Sequence, residues 1–165
     1  QENQKFFAEM GLTEQEIIAV KADATDLTYD NEFFDAVVST DSYNYFGRDA
    51  HYLDEKLLPF VKAGGYVYIV VPGMKKDCHN NIPPELLLSW TPEQLDYIHD
   101  IEYWKSIISK SKCSEIVSIY EMESNEECWN DWIQCDNEYA INDRKAIEAG
   151  ACKYLNFIAI VLRKK

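Results

Sequence analysis

Two short apolar runs and the stretch between them set the rhythm of this chain. Residues 34–39 and 66–71 are apolar at nearly every position and rich in Val, Phe, Tyr and Ile. Runs of that kind predict strands buried on both faces of a parallel sheet, since a half-buried strand would alternate. Between them Tyr52, Leu53, Leu57, Phe60 and Val61 fall on one side of a helix predicted from Asp49, its cap, to Phe60. Gly64 and Gly65 close that unit. Strand, polar turn, helix, glycine turn and strand make a βαβ crossover. Ligands of such sheets bind beyond the carboxyl ends of the strands. Here those ends carry Ser39-Thr40-Asp41-Ser42 and Pro72-Gly73.

The flanking sequence extends the alternation of elements. Residues 1–10 are helix-like, with Phe6, Phe7 and Met10 on one side and Gly11 as a stop. Thr13 and Glu16 have capping-box spacing. The next apolar run, IIAVKA at residues 17–22, follows too soon for a long helix and is a first strand, ending at Asp23-Ala24. Residues 29–32 are a turn. Residues 74–90 form an irregular excursion with Cys78-His79 and Pro83-Pro84; its length after a strand end marks a cover or substrate loop. Thr91-Pro92-Glu93 starts a helix that runs, with a break near His99-Asp100, to Lys112. Residues 115–121 are a fourth strand. Residues 125–136 hold Trp129, Trp132 and Ile133 on one helical face, 141–149 a second short helix, and 154–162 a fifth strand.

Composition narrows the classes. A length of 165 residues is one domain with enough chain for a core. The formal net charge of −13 argues against nucleic acid, whose phosphates need a basic surface. No window approaches the roughly 18 unbroken apolar residues of a membrane span. The five cysteines are odd in number and form no CxxC pair, which suits free thiols in a cytoplasm rather than a disulfide framework. Cys78, His79, His51 and His99 match no standard zinc spacing, so no metal site is expected.

The series VKADATDLTYDNEFFDAVVS, an acidic-aromatic turn, and LLPFVKAGGYVYIVVPG resembles the middle and later part of a class I S-adenosylmethionine-dependent methyltransferase. The likeness runs from about Ile17 to the end. Thr28 and Ala63 stand where that family often has Pro. The resemblance implies an α/β, Rossmann-like sheet of order 3-2-1-4-5-7-6 with an antiparallel last strand. It also implies an upstream first strand with a glycine-rich loop and a second strand with a ribose-binding acid. No GxGxG occurs here, and the chain opens on Gln1 rather than Met. The expectation is therefore an amino-terminally truncated single domain, 1–165, holding strands 3 to 7 with strands 1 and 2 absent. Two empty places at ~4.8 Å per strand would separate strand 3 from strand 4. The edges so exposed would invite pairing with a missing amino-terminal segment or a second copy, unless strand 3 is displaced.

The same resemblance places the site. Asp23 and Ala24 would lie beside the adenine, although Asp23 could equally cap its own turn. Ser39 and Thr40 would approach the methionine part of the cofactor. Asp41 and His79 are candidates for a base or for positioning the acceptor; a base is needed only if the acceptor loses a proton. Tyr43, Tyr45 and Trp90 are candidates for the acceptor pocket, with core packing as the alternative for each. The reading is methyl transfer to a small molecule, by a fragment whose cofactor site is incomplete and which is inactive alone. An oxidoreductase on a related sheet would have a parallel final strand. A non-catalytic interaction module of the same fold is the other alternative.

Overall fold

The structure is a computed structural model and describes residues 2–13 and 15–165. Five strands form one mixed sheet: β1 (Phe34–Thr40), β2 (Val61–Met74), β3 (His99–Asp100), β4 (Ser114–Glu121) and β5 (Leu155–Lys164). The order is β1-β2-β5-β4, with β3 on β2 beyond the end of β1. β1 and β2 are parallel, in register from Ala36–Tyr66 to Thr40–Val70. β5 runs antiparallel to both β2 and β4. The antiparallel final strand is the one the resemblance implies, and it excludes the parallel ending of the oxidoreductase alternative.

The crossover from β1 to β2 is helical but not a regular α-helix. Residues Leu53–Leu57 form a π-helical turn and Leu58–Phe60 a 3-10 turn. Pro59 lacks an N–H and so cannot continue an α ladder, and the chain tightens instead. Residues 62–65 then loop out of the β1–β2 register, since Phe34 faces Val61 but Ala36 faces Tyr66. Gly64 takes a left-handed φ of 75° there, and a Cβ on Gly65 would stand 2.7 Å from the Asp35 carbonyl.

Two expectations are corrected. The run at 17–22 forms no strand; it is extended and unpaired, with Ile18 and Val20 exposed at 74% and 62%. Strand pairing needs a neighbour, and among the described residues β1 is laddered on its β2 side alone. β1 and β2 are also not buried on both faces. Val67, Ile69 and Val71 are buried, whereas the alternate positions Tyr66, Tyr68 and Val70 are not. Thr13 and Glu16 meet over a single turn, as the short space before the next segment implies: the Glu16 carboxylate accepts from Thr13 N and Oγ1, both at 2.8 Å.

The first core lies on the face that Val67, Ile69 and Val71 share. It is packed by Tyr43, Leu53, Leu57 and Leu58 from the crossover side and by Trp104 and Ile108 of α4, a helix spanning Ile101–Ile108. A second cluster gathers near the carboxyl end of β2 around Met74, Leu86, Leu95, Trp129 and Leu155. Here α5 (Asn125–Trp132) stacks Trp129 on Phe157 of β5, covering that end of the opposite face. Further along that face Tyr68 and Val38 are exposed. No helix among the described residues is long and apolar enough to cross a membrane.

Candidate active site

The end of β1 and the turn after it carry five of the expected residues: Ser39, Thr40, Asp41, Tyr43 and Tyr45. The Ser39 and Ser42 hydroxyls lie 2.9 Å apart. Asp41 adopts a left-handed φ of 49°, and its N–H closes the ladder on the Val70 carbonyl at 2.9 Å. Non-glycine residues in that conformation are uncommon, and Asp tolerates it better than most. Part of Asp41 reaches solvent, yet packing around its carboxyl desolvates it and pushes its pKa up. The charge of Asp143 adds to the rise. Asp143 sits on α6 (Glu138–Glu148), where burial also raises its carboxyl, against the hydrogen bond donated by Trp132 Nε1 at 3.0 Å.

The helical turn that follows, Tyr43–Phe46, divides its aromatics. Tyr43 is buried in the first core against Phe46, Tyr52 and Trp104, so its ring packs the interior; burial drives its hydroxyl far above the usual tyrosine value. Its ring lies so close to Gly47 that a Cβ there would overlap it. Tyr45 stays exposed and meets Tyr97 at 5.2 Å. Arg48 anchors the turn. Its Nη1 donates to both the carbonyl and the carboxylate of Asp96 at 2.8 Å, and its guanidinium lies 4.3 Å from the Tyr97 ring centre.

Asp23 and Ala24 lie on the unpaired segment before β1. The Asp23 carboxylate folds back on its own turn, with Oδ1 accepting from Thr25 N and Oγ1 at 2.8 and 2.7 Å. That is the capping arrangement; Oδ2 makes no hydrogen bond among the described residues. The Ala24 carbonyl accepts from the Tyr52 hydroxyl at 2.7 Å, which ties this segment to the crossover. The Tyr52 hydroxyl is pushed up to about 12, by burial first and the Asp23 charge second.

The excursion places His79 and Trp90 apart. Trp90 packs edge-on against Trp129 in the second cluster, at 5.9 Å between ring centres. His79 is partly buried, and both its ring nitrogens are engaged: Nδ1 with Asp77 Oδ1 at 2.6 Å and Nε2 with the Leu95 carbonyl at 3.0 Å.

Several groups at the carboxyl edge were not singled out from the sequence. Asn44 Oδ1, His99 Nε2 and both amide atoms of Asn156 are buried with no hydrogen-bond partner among the described residues. His99, Gly73 and Asn156 form one row across β3, β2 and β5. A Cβ on Gly73 would lie 2.4 Å from Asn156 Oδ1, so only glycine lets that amide lean across the strand end. Asp143 had a readable signal, because it stands on the apolar stripe of α6 with Ala140 and Ala146. Among the described residues no group of three or more His, Cys, Asp or Glu could hold a metal.

No family model matches the chain. No curated protein matches it either. Solved structures do share the fold. One is a Galdieria sulphuraria protein assigned as a sarcosine dimethylglycine methyltransferase: TM-score 0.69, 16% identity, covering 98% of this chain and 64% of that one. Another is the geranyl diphosphate C-methyltransferase of Streptomyces coelicolor A3(2), solved with Mg2+, geranyl diphosphate and S-adenosyl-L-homocysteine: TM-score 0.68, 13% identity, 98% and 57%. A third is the (4+2)-cyclase SpnF: TM-score 0.64, 16% identity, 98% and 60%. The chain thus has the fold of the class I S-adenosylmethionine-dependent methyltransferases. It spans 57–64% of the length of these three neighbours.

Proposed function

We propose that this chain forms the later part of an S-adenosylmethionine-dependent methyltransferase acting on a small molecule. Its cofactor site is completed by a polypeptide segment seated on the open side of β1. The observation that carries this reading is the conjunction of the methyltransferase sheet with a polar, strained turn, Ser39 to Tyr45, at its carboxyl edge. The unladdered side of β1 and the bare face at Val38 and Tyr68 support the second half.

The residues present fit part of the cofactor. Asp23 Oδ2 is available for the adenine amine, and the backbone of Ser39 and Thr40 ends β1 where the methionine portion would lie. The orphaned Asn44 Oδ1 adds a buried acceptor in the same turn. When bound, S-adenosylmethionine supplies an electrophilic methyl group on a cationic sulfur. Asp41 favours that positive charge through its carboxylate, and Tyr45 offers an aromatic face. Aligning an acceptor for in-line attack carries much of the acceleration, so Tyr45 and Trp90 act by orientation. Asp41, with its carboxyl pushed up, is the proton acceptor where one is needed. His79, with both nitrogens bonded, contributes position rather than proton transfer. Five free thiols fit a reducing, cytoplasmic setting.

A second reading is a non-catalytic module of the same fold. It is favoured by the inward-turned Asp23 carboxylate, whose Oδ1 already serves its own turn. Calorimetric titration with S-adenosylmethionine separates the readings. The chain alone should show no binding tighter than about 1 mM, and the chain extended by its encoded upstream residues should bind at about micromolar strength. Asp23→Ala should weaken the latter about tenfold or more. Micromolar binding by the monomeric chain alone would overturn the incomplete site. No binding by either form would favour the non-catalytic module.

A further inference from the structure

We propose that His79 is a pH-sensitive latch, which pins the 74–90 excursion to the end of the helix α3 (Pro92–Leu95) at the carboxyl edge of the sheet. A neutral imidazole has one N–H and one lone pair, whereas an imidazolium has two N–H groups. The two partners of His79, the Asp77 carboxylate at 2.6 Å and the Leu95 carbonyl at 3.0 Å, both only accept. Both contacts are hydrogen bonds at once only when the ring is charged. Loss of the proton turns one of them into a lone pair facing an oxygen.

The place of the contact gives it an effect. Asp77 Oδ1 also accepts from the His79 N–H at 2.9 Å, which shapes the single 3-10 turn His79–Asn81. The turn is further held by Asn81 N, which donates to the Cys78 carbonyl at 2.9 Å, by the Cys78 thiol on Met74 Sδ at 3.4 Å, and by a long tie from Asp77 N to Asp100 Oδ2 at 3.3 Å. On the other side, the same α3 end is held to the β1 turn by Arg48, through the carbonyl and carboxylate of Asp96. Arg48 keeps its charge at every working pH. The α3 end is therefore gripped on two sides, by one charge that does not titrate and by one that does.

The groups facing His79 set where it titrates. Asp77 and Cys78 flank it on its own segment. Asp96, His99 and Asp100 face it from the α3–β3 connection, and Arg48 stands beyond Asp96. Desolvation, the largest influence, pulls His79 down, but the Leu95 carbonyl, the Asp77 hydrogen bond and the charges of Asp77 and Asp96 outweigh it and hold it above its ordinary value. His99, whose ring centre is 5.0 Å away, is pushed down by burial first and by His79 second. A raised folded value means the latch contributes fully below the unfolded value near 6.5 and is lost as pH rises through the folded value. The turn around residues 77–82 is held on the acid side and loosened on the alkaline side, while the later part of the excursion stays fixed by Glu85 on Lys153 and Ser89 on Asn142.

The test uses the full chain. Proton NMR of the His79 ring from about pH 5.5 to about pH 9 gives its titration point. Amide exchange at residues 78–82, taken as the ratio of wild type to His79→Gln at each pH, removes the intrinsic pH dependence of exchange. The expected result is a His79 titration point above 6.5, with protection of 78–82 falling several-fold through it in wild type and flat in the variant. Asp77→Asn should move both the titration point and the fall to lower pH together, a readout that remains if the glutamine variant does not fold. A titration point at or below 6.5, a flat wild-type profile, or a fall in Asp77→Asn that does not follow its titration point would each overturn the latch.

Discussion

Val37 faces Val67 across the β1–β2 ladder, and one residue further on Val38 faces Tyr68. The first pair turns toward the first core, where Val67 is fully buried and Val37 packs against the cluster. The second turns the other way and stays wet, with Val38 exposed at 71% and Tyr68 at 40%. The four side chains come from runs of the same apolar character. What separates them is the neighbour each face has: the crossover and α4 on one side, and, among the described residues, no helix over Val38 and Tyr68 on the other. An apolar run states a strand's capacity for burial, and the elements stacked on it decide how much is used. Burying a side chain such as Val38 fully is worth roughly 1.5 kcal/mol or more. The bare row is therefore a stabilising surface not yet used, and a recognisable seat for another polypeptide.

The sharpest way to break this comparison is to truncate one residue on the covered face. Ile69→Ala should cost about 2–5 kcal/mol in denaturant unfolding, because the side chain is buried and its cavity cannot collapse freely. A cost below about 1 kcal/mol would mean that the covered face is not a core. Gly73→Ala comes next. Its methyl would press on Asn156 and Ile158, so a loss of about 1–3 kcal/mol is expected, and an unchanged midpoint would remove the close β2–β5 approach. Tyr52→Phe should cost about 0.5–1.5 kcal/mol, since it deletes the hydroxyl that ties Ala24 to the crossover. The same variant should speed amide exchange around residues 23–27. At the bottom of the scale, Val38→Ala should change stability by no more than about 0.5 kcal/mol; a core-sized loss there would show the open face to be covered in solution.

Much of the fold was legible because its signals are local. Thr91 and Pro92 marked a helix start, and the structure completes that cap with Gln94, whose N–H and side chain exchange bonds with Thr91. The late strands at 115–121 and 154–162 lie almost where their apolar runs put them, as β4 and β5. The run at 17–22 misled because β propensity describes fit to a sheet, not the presence of one. The site was legible only as a region. Ser39 to Tyr45 was placed at the carboxyl edge by topology, but nothing local told that Tyr43 would turn inward while Tyr45 turned out. His79 was named for its chemistry, yet its partner Leu95 is 16 residues away and presents a backbone carbonyl that no side-chain pattern announces. Asn156 and His99 meet Gly73 only through strand register, which sequence spacing does not state.

Amide exchange along β1 and β2 tests the central claim, that β1 has an open side, most directly. The Asp41 N–H bonds inward to Val70. The two-residue period of a parallel ladder then turns the N–H groups of Ser39 and Val37 inward as well, and those of Ala36, Val38 and Thr40 outward. The account predicts fast exchange at Ala36, Val38 and Thr40, and slow exchange at Val67, Ile69 and Val71 in the middle of the sheet. Equal, strong protection at both sets in the monomeric chain would contradict it.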